Sequence, residues 1–354
     1  MRKRHGNKRI TLNQVAQKAG VSESAASFAL TGRDDQRLSK DTVKKIKAAA
    51  LELGYRPNLT AKTLRTGQSG TIAMISDFVS STSLSNGMIA GVLSVLKDEG
   101  KLLFTVDSQG DPNVQSRLID ALLDRQVDGI LYTSMFTRMI TFPEALHAIP
   151  TVLLNSLTEN PEDAFSVVPN EYLGGQTAAS ILINAGHRNK VCFVGSFPDG
   201  VTGGPQWKGL QPWALEQRML GITDTFEKAH LSLLSIPPIK EWTCEAGREV
   251  GCHFLDSGKE LPSAFICVND ALAFGMMQVL QVRGIHIPEE VSFIAFDGSS
   301  WSDASWPPLT SIILPHEELG RFATRALLAP QRKAGVHMIT MPVKQGESVA
   351  APRE

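Results

Sequence analysis

Apolar residues recur every three or four positions through residues 11–53. Beyond residue 70, short apolar runs alternate with amphipathic stretches. In residues 11–30, TLNQVAQKAGVSESAASFAL, Val15, Ala16 and Ala19 form one helical face, and Ala26 and Leu30 another. Thr11 with Gln14 three residues on is a capping-box signature, Gly20 gives a tight turn its backbone freedom, and Ser22 is placed to cap the second helix. Residues 32–37 read as a polar turn. Ser39 caps a third helix over 40–53, with Val43, Ile46, Ala50 and Leu53 on one face, and Gly54 and Pro57 end it. Small polar residues at the front of a second helix suit a reader of the DNA major groove; a plain helical hairpin is the alternative. In the next segment, Asn58 is placed to cap one or two helical turns ending at Gly67, too short a helix to persist alone.

The body reads as strands over 71–75, 102–106, 129–132, 151–154 and 167–170, with helices over 84–97 and 114–123. The alternation then restarts, with helices over 172–185, 215–228 and 271–283 and strands over 191–194, 264–268 and 291–296. Strand 311–314, helix 317–328 and strand 338–341 close the chain. Such βαβα order implies parallel sheets covered by helices, and two successive halves imply two lobes with a cleft at the carboxyl ends of the strands.

Charge divides the chain at the same place. The 354 residues sum to −1, yet residues 1–66 hold fifteen Lys/Arg against five Asp/Glu, or +10, which leaves −11 on residues 67–354. A basic head on an acidic body points to a polyanion partner for the head alone. The four cysteines (Cys192, Cys244, Cys252 and Cys267) form no CxxC pair and read as buried thiols of a reducing compartment. No apolar run reaches the roughly 18 residues of a membrane span, and no signal-peptide core follows the basic start, so the expectation is a cytoplasmic protein with no membrane partner. Phosphate-loop, dinucleotide-fold, nucleophile-elbow and zinc-protease motifs are all missing, as is a nucleophile with a partner base. No enzyme activity, metal or cofactor is expected.

The chain resembles the LacI/GalR family of transcriptional regulators over nearly its whole length. The resemblance rests on Thr11-Leu12, Val15-Ala16, Ala19-Gly20-Val21-Ser22, Ser27, Leu53-Gly54-Tyr55-Arg56-Pro57-Asn58, Ala61, Leu64 and Arg65-Thr66-Gly67. Arg218 with Gly221, Trp242-Thr243, Asn269-Asp270, Phe296-Asp297 and Pro307-Pro308-Leu309-Thr310 follow in the family's order. It implies an α/β fold class: a small three-helix DNA-binding head plus a two-lobed periplasmic-binding-protein-like effector domain with parallel sheets. The expected divisions are a head over 1–57, a hinge helix over 58–67 and an effector domain over 68–354. The first lobe takes 71–168 and 314–334, the second 169–313 and 335–349.

The implied function is a DNA-binding repressor controlled by a small-molecule effector, a sugar or related metabolite, working as a homodimer on a pseudo-palindromic double-stranded operator. Residues 342–354 carry no heptad, so a dimer is the expected limit. The expected DNA-reading set is Thr11, Leu12, Ser22, Glu23, Ser24, Ala25, Ser27, Phe28, Thr31 and Ser39. Phe28 stands where the family carries an arginine; it offers apolar contact to a base or, equally, packing in the head. Asn58, Ala61 and Leu64 form the hinge, with Leu64 as a wedge for the minor groove. Trp242 matches the family's effector-stacking aromatic, and Arg218 and Asp297 its polar clamps, with a buried Arg–Asp pair as the alternative. Asn269 sits beside them in the pattern, and Asp77 and Asn155 are added by their places at strand ends. A solute-binding protein and an α/β enzyme with a helical head are the competing readings. The basic head weighs against the first and the missing nucleophile–base set against the second.

Overall fold

A computed structural model describes residues 10–31, 38–56, 63, 67–78, 85–195, 213–235, 239, 241–258, 260–330 and 333–353. The chain divides into two units, Met1–Ser69 and Gly70–Glu354.

The first unit is built from three helices, α1 (Leu12–Ala19), α2 (Glu23–Thr31) and α3 (Lys40–Leu53). The capping box is formed: the Gln14 backbone N–H donates to Thr11 Oγ1 at 3.3 Å, and the Thr11 N–H to Gln14 Oε1 at 2.9 Å. Gly20 takes the left-handed conformation at φ 68°, so the Val21 N–H closes back on the Ala16 carbonyl. Ser22 Oγ accepts from the Ala25 N–H at 3.2 Å and Ser39 Oγ from the Thr42 N–H at 3.1 Å. Val15, Ala16, Ala26, Ala29, Ile46, Ala49 and Ala50 form the core. Leu30, expected there, is only partly buried, and Ala29 takes the inner position.

The second unit holds two six-stranded sheets. The first comprises β1 (Thr71–Ser76), β2 (Leu102–Asp107), β3 (Gly129–Ile140), β4 (Thr151–Thr158), β5 (Phe165–Pro169) and β11 (Gly335–Ile339), in the order β11-β5-β4-β3-β1-β2, all parallel. The second comprises β6 (Val191–Val194), β7 (Leu233–Ser235), β8 (Ala264–Cys267), β9 (Ser292–Asp297), β10 (Thr310–Ile313) and β12 (Val343–Lys344), in the order β12-β10-β9-β8-β6-β7, with only β12 antiparallel. The helices are α4 (Asn86–Asp98), α5 (Pro112–Asp124), α6 (Glu171–Asn184), α7 (Trp213–Lys228), α8 (Cys244–Asp256), α9 (Asp270–Val282), α10 (Ser300–Ala304) and α11 (His316–Leu328). Central strands such as β1 are buried along their whole length, as parallel strands covered on both faces must be. Phe265, Phe293 and Phe296 anchor the second lobe's core, each contributing about 1.5–3 kcal/mol of apolar burial.

The chain crosses between the sheets three times: from β5 into α6, from β10 into α11, and from β11 into β12. Each crossing contains a proline, Pro169, Pro315 or Pro342, whose fixed φ stiffens it. Backbone bonds tie the crossings together: the Asn170 N–H donates to the Ile339 carbonyl at 2.8 Å and the Ile313 N–H to the Pro342 carbonyl at 2.7 Å.

Two expectations need correction, and two elements were not expected. The stretch 335–349 does not belong wholly to the second lobe. β11 pairs with β5 in the first sheet, because the closing strand starts at Gly335 rather than at 338 and crosses back only at Pro342. β3 does not stop at residue 132 but runs to Ile140, with a register break against β4 between Thr133 and Arg138. Finally, α8 and β7 carry no strong signal: α8 includes Gly247 and Gly251, poor helix formers whose place is fixed by packing.

Candidate functional site

In the head, the front of α2 is the exposed polar surface. Glu23 and Ser24 are exposed, Ala25 and Ser27 half-buried, and Phe28 remains 39% exposed beside a core that does not include it. Thr11, Ser22 and Ser39 are exposed caps, so they order the helix starts as well as facing solvent. Leu12 is half-buried against the core. Thr31 ends α2, and its side chain lies outside the described residues, as do Asn58, Ala61 and Leu64 entirely.

In the second lobe, Arg218 on α7 is 6% exposed and forms a two-pronged ion pair with Glu171 on α6. Its Nε donates to Oε2 at 2.9 Å and its Nη2 to Oε1 at 3.1 Å. Nη1 donates to the Val268 carbonyl at 2.7 Å, and the guanidinium carbon lies 4.1 Å from the centroid of the Phe296 ring. The partner of Arg218 is therefore Glu171, not Asp297 as the alternative reading had it. Two glycines bring these helices close enough. A Cβ at Gly175 would stand 2.1 Å from the Arg218 carbonyl oxygen, and one at Gly221 2.0 Å from that of Tyr172.

Trp242 is held by both its ends: its Nε1 donates to the Gly195 carbonyl at 2.9 Å, and its own carbonyl accepts from Asn269 Nδ2 at 3.0 Å. Asn269 also caps α9, accepting from the Leu272 N–H at 2.9 Å. Its amide is thereby committed to placing Trp242 and starting α9. Across from it, Phe136 of β3 meets Trp242 edge to face, with ring centroids 6.1 Å apart.

Asp297 ends β9 with φ 105°, a conformation that costs a non-glycine residue strain. Among the described residues no hydrogen bond reaches its carboxylate. Burial, and next the Asp270 charge, push its pKa well above the ordinary carboxylate value; Arg218 opposes this and Glu171 adds to it. Asp270 is itself satisfied. It accepts from the Ser299 N–H at 2.6 Å, Ser299 Oγ at 2.9 Å and Ser311 Oγ at 2.6 Å, and burial outweighs these bonds to leave its pKa raised.

Asp77 and Asn155 are spent on the first lobe. Asp77 accepts from the N–H groups of Phe78 and Met135 at 2.8 and 2.9 Å and pairs with Arg138. Asn155, at φ 57°, donates to the carbonyls of Ser134 and Met135, both at 3.0 Å, and accepts from Thr137. Between them they satisfy the backbone where β3 breaks register with β4, which is why β3 can continue through polar residues.

Residues 11–58 match the family of bacterial regulatory proteins of lacI type, and residues 179–349 match the periplasmic binding protein-like domain. The chain belongs to the lacI family of bacterial regulatory proteins. Family relatives include the ribose operon repressor of Escherichia coli K12, 28% identical over 95% of this chain and 94% of that protein. The HTH-type transcriptional repressor PurR of Vibrio vulnificus is 29% identical over 90% and 91%, and the sucrose operon repressor of Shigella flexneri 28% over 94% and 98%. The lac repressor dimer bound to operator and the anti-inducer ONPF shares the fold with TM-score 0.78 at 20% identity, over 97% of this chain and all of that one. A regulator CelR–cellobiose complex does so with TM-score 0.63 at 22% identity, over 96% of this chain and all of that one.

Within this lacI-family chain, Glu171, Phe136 and Arg138 were missed as site residues by the sequence. Glu171 reads as an acid in the first turn of a helix, where the dipole favours one anyway. Phe136 and Arg138 lie in a mixed stretch, interrupted by Thr133, Ser134 and Thr137, past the apparent end of a strand. The spacing that could have found the last two is their own period of two, which places both on one face of an extended strand.

Proposed function

We propose that this chain is a sequence-specific transcriptional repressor that binds a pseudo-palindromic double-stranded operator as a homodimer, and that a small molecule between the two lobes sets its operator affinity. The observation that carries the reading is the joining of two parts: a +10 head whose capped α2 exposes Glu23, Ser24 and Phe28, and a two-lobed unit with Trp242 and with Asp297, whose carboxylate has no hydrogen-bond partner among the described residues. Arg and Lys of the head hold phosphate while the front of α2 reads base edges. The names of the ribose and sucrose operon repressors support a sugar or related metabolite as effector. Stacking on Trp242 and hydrogen bonds to Asp297 and to the two N–H groups of Arg218 that no described residue accepts from suit such a ligand. Exposed Leu102 and Phe104 on edge strand β2, and exposed Trp301 packed on Phe274, are apolar surfaces suited to a second copy. Asn58, Ala61 and Leu64 make the hinge by which the two units communicate, with Leu64 entering the minor groove.

The test is selection of bound duplexes from a random library by the full chain, followed by a salt titration and a truncation starting at Gly67. A symmetric consensus, a steep fall of log K with log salt, and loss of DNA binding but not effector binding by the fragment are expected. Salt-independent binding, or an asymmetric or absent consensus, would refute the reading.

A further inference from the structure

Both guanidinium groups described near the lobe junction are already held by carboxylates of their own lobe. Arg138, two residues along β3 from Phe136, pairs with Asp77, and Arg218 pairs with Glu171. We propose that Glu171 sets the charge selectivity of the effector cleft: by holding Arg218 it closes the site to anionic effectors, such as sugar phosphates, sugar acids and nucleotides, and directs it to uncharged or amine-bearing polyols. This rests on the cleft reading given above.

A guanidinium has five N–H donors. Three of those on Arg218 are used, two on Glu171 and one on the Val268 carbonyl, and one of its faces lies on Phe296. The remaining two can donate to a neutral hydroxyl, but the pair as a whole offers no net positive charge. An incoming phosphate or carboxylate would have to take Arg218 from Glu171. That exchange would strand a carboxylate whose side chain is 2% exposed, a buried charge without its partner. Asp297 has no hydrogen-bond partner among the described residues, and burial, then the nearby Asp270 charge, raise its pKa. It accepts from hydroxyls; an ammonium group favours its ionised form and binds it more strongly, since charge-assisted bonds are about twice as strong as neutral ones, whereas an anion gains nothing from it.

The test uses inorganic phosphate as the probe on the full chain, with chloride at equal ionic strength as control. Thermal melts are taken for the wild type, Glu171→Gln, Glu171→Asp and the double variant Glu171→Gln/Arg218→Met. The basic head is common to all four, so any phosphate binding there cancels between them. Phosphate should stabilise Glu171→Gln over chloride, with an apparent affinity about tenfold above wild type, as expected for one freed charged hydrogen-bonding group. Wild type, Glu171→Asp and the double variant should show no such gain. Equal phosphate response in wild type and Glu171→Gln would overturn the proposal. If Glu171→Gln does not fold, wild type against Arg218→Met decides: a phosphate response in wild type that Arg218→Met abolishes refutes the proposal, and matching responses support it. The cleft reading fails separately, if a neutral ligand binds and Trp242→Ala leaves its affinity unchanged.

Discussion

Phe136 and Trp242 touch edge to face across the two lobes, their planes at 88°. One comes from the strand that runs past its register break, the other from the loop that starts α8. An effector that stacks on Trp242 would have to part them or slide alongside. Trp242→Ala should weaken effector binding by about 1.5–3 kcal/mol, roughly ten- to a hundredfold, from lost aromatic burial. Phe136→Ala should cost less, about 0.5–1.5 kcal/mol for the ring pair. Operator binding without effector should stay as it is in both. Calorimetry showing wild-type affinity in both variants would move the site elsewhere.

The Glu171–Arg218 pair depends on how closely α6 and α7 approach, and glycine permits that approach. A Cβ at Gly221 would sit 2.0 Å from the Tyr172 backbone oxygen, so Gly221→Ala must push the helices apart. Overpacking of this kind typically costs about 1–3 kcal/mol, and the displaced Arg218 would add to it. Gly284→Ala is the control, at φ 83° but with open space around its Cβ, so only backbone strain applies. Thermal melts should place Gly221→Ala well below Gly284→Ala, and the reverse order would show that the helix contact is soft.

The C-terminal strap of the second lobe hangs on a buried histidine. His187 lies within 3.0 Å of both Ser263 Oγ and the Ala350 carbonyl, and burial lowers its pKa below 6.5, opposed by the Ala350 bond. A base with a lowered folded value binds protons more readily when unfolded. Its contribution to stability is therefore full above pH 6.5 and is lost as pH falls from 6.5 through the lowered value. His187→Gln should flatten the fall in melting temperature between pH 7.5 and 5.5. An unchanged slope would assign that fall to other groups.

The head was legible in the sequence because its signals are local. Thr11 with Gln14, Gly20, Ser39 and Gly54 each act within a few residues, and each forms the cap or turn that its spacing implies. The parallel strands were legible because burial on both faces leaves continuous apolar runs. What was hidden depends on distant partners. β3 continues past Thr133 because Asp77 and Asn155, far away in sequence, satisfy its backbone. Those two side chains, picked out by their strand-end positions, are engaged with the first lobe's own backbone. Arg218 stood out, but its partner did not: a carboxylate 47 residues away, brought in by two glycines, leaves no periodic trace.

Asp297 is where function and stability oppose each other. Its carboxyl is raised well above 3.8 by burial and by Asp270, and its φ of 105° is strained for a side chain other than glycine. A raised carboxyl contributes fully to stability below pH 3.8, and that contribution is lost as pH rises through the higher folded value. At neutral pH, above its ordinary titration range, the group is thus a net cost to the fold in the absence of ligand. Asn is isosteric, uncharged and among the residues that best tolerate positive φ. Asp297→Asn should therefore raise the melting temperature of the ligand-free chain at neutral pH, with the advantage shrinking towards pH 4. The same change removes a charged acceptor, which should weaken effector binding by about 1.5–3 kcal/mol. Melts across pH, paired with calorimetry, measure both sides. A lower melting temperature for Asp297→Asn at neutral pH would mean that the carboxylate supports the fold, and its place as a ligand group held ready in the cleft would have to be given up.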